Sequence, residues 1–159
     1  MSAMTTHALT HDDLDTLANC IQRANAATTD LVRYVMANSG TRFAILQKAG
    51  KTAHIEHLIE DEAWCDAALA LVATELPGWS VRRLLCESGE WICSLTQQPN
   101  LPIEFDDAAD GRHGVLALAI LAAFLEARKR MVAIQTAPGR VIPRIEPVPG
   151  SAMCCDNFA

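Results

Sequence analysis

The stretch WSVRRLLCESGEWICSL, Trp79 to Leu95, decides the fold, because it holds the clearest strand signal in the chain. Two apolar runs, WSVRRLLC and EWICSL, flank ESGE, and Ser88-Gly89 makes a two-residue turn, so the stretch reads as a β-hairpin. With that turn, Cys86 opposes Trp91 and Cys93 opposes Leu84. With Gly89-Glu90 as the turn, Cys86 and Cys93 face each other and can cross-link on oxidation. Sequence permits both registers, with buried thiols as the default.

A two-stranded hairpin does not stand alone in water, so its neighbours must cover it. Upstream lies HIEHLIEDEAWCDAALALV, His54 to Val72, which predicts a helix running to about Glu75 and stopping before LPGW. At 100° per residue Leu58, Cys65, Leu69, Val72 and Leu76 form its apolar stripe, with Ile55 beside it. Downstream, a Pro-containing loop, TQQPNLPIEFDD, leads to a helix that starts at Asp106 or Asp107, becomes strongly apolar from Val115 and ends in EARKR. Two helices flanking a hairpin predict a two-layer sandwich over 54–135.

The N-terminal part, 1–53, adds a second pattern. Thr10 caps a helix, with Asp13 near the reciprocal capping position. Behind it Leu14, Leu17, Ile21, Ala24, Thr28, Leu31 and Val35 follow one another at alternating spacings of three and four, and Asn38-Ser39-Gly40 supplies a stop. Such spacing predicts one long helix with an interaction seam at Leu14, Leu17, Ile21, Leu31 and Val35, which needs a partner helix. The partner is another helix of the chain or the same helix in a second copy; the short connector 41–53, broken by Gly50, favours a homodimer. Prolines 138, 143, 147 and 149 forbid helix, so 136–159 is expected as an extended arm. The expected fold class is therefore α+β: a long N-terminal helix, a helix–hairpin–helix sandwich and a Pro-rich C-terminal arm.

Half of the 159 residues are apolar, a fifth are charged and the net charge is −6, with a pI near 5.3. That composition suits a folded domain with a real core, and its acidity argues against direct nucleic-acid binding. The opening residues carry no basic or long apolar signal segment. The most apolar run, Val115 to Ala127, is shorter than the roughly 20 residues needed to span a bilayer, so no membrane partner is expected. Six cysteines without an export signal and without a CxxC pair read as reduced thiols of a cytoplasmic protein, with Cys154-Cys155 best placed to react.

Signals for chemistry are few. His54, His57 and Asp61 lie three and four residues apart on the flank of a helix, a spacing at which two imidazoles and a carboxylate can converge on one ion. HxxH is not the HExxH arrangement, however, and a solvated helix shoulder explains the same residues. AGKT, 49–52, resembles the end of a phosphate-binding loop, yet Ile45 stands where that loop needs its first glycine. No cofactor is implied. Asp106, Asp107 and Asp110 suit a helix N-terminus better than a pair of acid–base carboxylates.

The order of a helix, a Trp-containing hairpin and an Ala/Leu-rich helix, over roughly 61–128, resembles small phage-type α/β (ABA) sandwich domains. That resemblance implies a small, non-enzymatic accessory protein of a phage or mobile element. The expectation is thus a non-catalytic cytoplasmic protein that binds a protein partner, with acidic segments 60–66 and 104–110 suited to a basic surface on that partner. The alternative is a metal-dependent enzyme using His54, His57 and Asp61.

Overall fold

A computed structural model describes residues 9–136. Among these residues are six α-helices and a three-stranded antiparallel sheet, an α+β architecture. The arm expected over 136–159, with Cys154 and Cys155, lies outside the described residues apart from its first position.

The N-terminal seam folds differently from expectation. Helix α1 covers His11–Arg23 and opens with the predicted capping box: the Asp13 N–H donates to Thr10 Oγ1 at 3.3 Å, and the Thr10 N–H donates to Asp13 Oδ2 at 3.0 Å. It ends there, and α2 covers Thr29–Ser39. Thr28, read as the centre of one long seam, is the N-cap of α2, its hydroxyl accepting from the Leu31 N–H at 3.3 Å. A Thr side chain in a helix interior offers little, whereas at an N-cap it satisfies an orphan donor, so the heptad is broken at this point. Leu14, Leu17, Ile21 and Val35 are at most 2% exposed within one chain, and Leu31 is half-buried. Helix α1 packs on the last helix and on α2. Among the described residues the seam positions therefore pack inside the chain, against its own helices.

The helix expected from His54 to Glu75 is also two helices. After α3, Arg42–Lys48, come α4, Ala53–Glu60, and α5, Trp64–Glu75. Between α4 and α5 the Ala63 N–H donates to the Leu58 carbonyl at 2.8 Å and the Glu62 N–H to the Ile59 carbonyl at 3.2 Å, with Glu62 at φ 55°. This is a Schellman stop with glutamate in the left-handed position. Helix α3 stops the same way, with Lys51 N–H to Leu46 carbonyl at 2.9 Å and Gly50 at φ 69°. The N-terminus of α3 is held from outside: Thr41 makes no side-chain cap, and the Phe43 N–H donates instead to Oε1 of buried Glu75 at 2.5 Å.

Strands β1, Ser80–Glu87, and β2, Glu90–Thr96, form the expected hairpin, with Ser88 and Gly89 at φ 54° and 82°. Leu84 pairs with Cys93 and Cys86 with Trp91, the register of the Ser88-Gly89 turn, so the two thiols do not oppose each other. A third strand, β3, Ala109–His113, pairs with β2 where a helix was expected to begin. The last helix, α6, Leu116–Thr136, starts only after it. Its Ala119 and Ala123 let β3 lie against the helix backbone; a Cβ on Gly111 would stand 2.1 Å from the Ala123 nitrogen.

Helix α6 covers one face of β2 and β3 and is covered in turn by α1 and α5. That double burial explains why its apolar residues, from Leu118 round to Phe124 and Ala127, leave no single polar side. Helix α5 packs on α6 and not, as expected, on the hairpin. One buried cluster runs from Leu14 to Ala127 and joins 9–53 to 54–135. No helix of the described residues is long and apolar enough to cross a membrane.

Candidate functional site

The proposed metal ligands are not brought together. His54 and His57 are exposed, Asp61 is the C-cap of α4, and His57 Nδ1 lies 3.4 Å from Glu60 Oε2. Among the described residues no group of three or more His, Cys, Asp and Glu is arranged to hold an ion. Ala49 to Thr52 form the turn between α3 and α4, with the Gly50 N–H bonded to the Gln47 carbonyl at 3.0 Å.

Two thiols of the fold, Cys93 and Cys65, are poor nucleophiles. Burial, and then the negative charge of Asp110, push the Cys93 thiol up to about 11. Burial and the neighbouring Asp66 carboxylate raise the Cys65 thiol as well.

A more coherent arrangement lies on the face of the sheet opposite α6. The ladder of β1 and β2 carries a bulge between Val81 and Arg83, which leaves Arg82 as the extra residue and turns its side chain over the loop that joins β2 to β3. The Arg82 guanidinium donates to Asp106 Oδ2 at 2.7 Å, to the Gln98 carbonyl at 3.3 Å and to the Leu101 carbonyl at 2.5 Å. Asp106 also accepts from the Thr96 hydroxyl at 2.6 Å, and that hydroxyl accepts from the Gln98 N–H at 2.9 Å. Arg130 of α6 holds the next residue, donating to the Asp107 carbonyl at 2.6 Å and to its Oδ1 at 2.7 Å. Asp110 accepts from the Ser94 hydroxyl.

The three acidic residues read as a helix N-terminus are therefore fasteners: Asp106 pairs with Arg82, Asp107 pairs with Arg130, and Asp110 accepts from Ser94. The segment 60–66 differs: Glu60, Asp61, Glu62 and Asp66 are all exposed.

What the fasteners hold out is apolar. Leu101, Ile103 and Phe105 are 38%, 65% and 77% exposed, on a loop whose short 3₁₀ turn spans Ile103–Phe105. Between this loop and the sheet lies a cavity of about 270 Å³, bounded by Arg82, Arg83, Ser94, Ile103, Asp106 and Asp110. Its carboxylates are occupied by ion pairs and hydrogen bonds, which leaves no poised acid–base pair. Two wider grooves, of about 520 and 550 Å³, lie among α1 to α4 and bring no set of reactive side chains together. Sequence reasoning passed over the loop because its prolines marked it as a connection; the available signal was apolar residues at alternate positions in NLPIEF.

No protein-family model matches the chain, and no curated protein or solved structure matches it significantly.

Proposed function

We propose that this chain is a non-catalytic accessory protein that works by binding another protein, with the loop 97–108 as its contact surface. One observation carries the reading: a loop tied down by two arginines presents three apolar side chains to solvent. Ordering a loop costs conformational entropy, and exposed Phe and Ile gain nothing from water. A rigid apolar display is what a protein interface needs at its centre, because the ordering is done before binding. The exposed carboxylates of 60–66 suit a partner with basic residues. Within this reading falls the finer one suggested by the order of elements, a phage- or mobile-element-encoded cytoplasmic inhibitor of a host protein.

The test is a comparative pull-down from the source cells with the wild type and with Ile103→Ser/Phe105→Ser. Both side chains are exposed, so the double variant keeps the fold. A protein retained by the wild type and lost by the variant supports the reading; equal retention by both refutes it.

A further inference from the structure

We propose that the open edge of β1 pairs antiparallel with β1 of a second copy, centred on Leu85, so that two three-stranded sheets become one of six strands. The sheet has two edges, and they are treated differently. On β3 the Arg112 carbonyl accepts from Gln22 Nε2 of α1 at 3.1 Å, so that edge is partly occupied by the chain's own side chain. On β1 the ladder runs to β2 alone, and among the described residues nothing bonds its outer side. Helix α6 packs over β2 and β3 and stops short of β1, leaving Val81 and Leu84 41% and 43% exposed and leaving room beside the edge.

Strand geometry limits how a second copy can dock. The two-residue turn makes Glu87 and Glu90 a bonded pair, so Arg83, Leu85 and Glu87 turn their N–H and C=O toward β2. Leu84 and Cys86 then turn theirs outward. The bulge at Arg82 ends the regular edge on one side and the turn ends it on the other, so a partner meets Arg83 to Glu87. In a two-fold pair, facing residues lie on the same side of the sheet, so the axis passes through a residue.

Five centres are available, and the charges choose between them. An axis at Arg83 or at Glu87 sets like charges opposite each other. An axis at Leu84 opposes Arg83 to leucine and carries Glu87 across the bulge. An axis at Cys86 opposes Glu87 to leucine and runs Leu84 into the turn. Only an axis at Leu85 uses all five residues: Arg83 faces the partner's Glu87 on both sides, Leu84 faces the partner's Cys86, and Leu85 faces itself. Leu84 and Cys86 then exchange four backbone hydrogen bonds with the partner. Charged residues ordinarily protect an edge strand from pairing. Here opposite charges four residues apart exclude the wrong registers and favour one.

Sedimentation of the full chain from about 1 to 100 µM reads the pairing directly. A mass moving from 17.2 kDa toward twice that value is expected. Arg83→Glu should weaken the dimer about tenfold, since both cross-pairs become repulsive, and adding Glu87→Arg should restore it. Leu85→Cys with Cys86→Ser should give an oxidised covalent dimer with an unchanged melting temperature. The proposal fails if the wild type stays monomeric throughout, if Arg83→Glu leaves the dimer intact, or if native Cys86 cross-links to itself, which would centre the pair on Cys86.

Discussion

Arg82 and Asp106 are 24 residues apart in sequence and 2.7 Å apart in the fold, with side chains only 16% and 4% exposed. The bulge in β1 aims the arginine, and the last turn before β3 aims the carboxylate. Removing one partner of a pair this buried leaves the other charge uncompensated. Asp106→Asn should therefore cost about 3 kcal/mol in denaturant unfolding. The same variant should become sensitive to limited proteolysis between 97 and 105. A loss too small to detect, with the loop still resistant, would mean that the apolar loop is held by its own packing.

Ile21 tests where the N-terminal seam goes. It is fully buried in one chain, among residues of α1, α2 and α6. Ile21→Ala should cost roughly 2–5 kcal/mol by calorimetry, as expected for a truncated core aliphatic. A cost below about 1 kcal/mol would put Ile21 on a surface.

Gly111 tests the contact of β3 with α6. A methyl group there meets the helix backbone at Ala119 and Ala123, which cannot move aside as a side chain can. Gly111→Ala should cost about 3 kcal/mol or prevent folding, at the upper end of overpacking effects. Serine at Gly114, where added atoms meet nothing, is the control and should fold normally.

Glu62 offers the opposite sign. Its φ of 55° is unfavourable for any residue with a Cβ, and its side chain is exposed. Glu62→Gly should stabilise the chain by about 1 kcal/mol, the left-handed penalty relieved less the extra freedom of the unfolded chain. No change, or a loss, would show that the Glu62 side chain contributes to the junction of α4 and α5.

These residues also mark what the sequence made legible. The capping box at Thr10 and Asp13 and a turn within ESGE are local, and local chemistry announces them, whereas the sequence permits both hairpin registers and the fold adopts the one that pairs Leu84 with Cys93. Gly50 announced the stop of α3, whereas the identical stop of α4 has glutamate at its left-handed position and no glycine to read. The heptad from Leu14 to Val35 is real as a set of buried positions, but Thr28 is worth more as a cap than inside a helix. Strand β3 reads Ala-Asp-Gly-Arg-His, with almost no strand propensity; its place is set by β2 on one side and by the small residues of α6 beneath it. The apolar loop escaped notice because the bonds that order it join residues far apart in sequence.

Hydrogen exchange of the full chain, alone and with the protein it retains in the pull-down, tests the central claim most directly. Added protection concentrated in 97–108, around Leu101, Ile103 and Phe105, is the result expected of a protein that binds through this loop. Unchanged exchange there, with protection confined to α1 to α4 or to no segment, would contradict it.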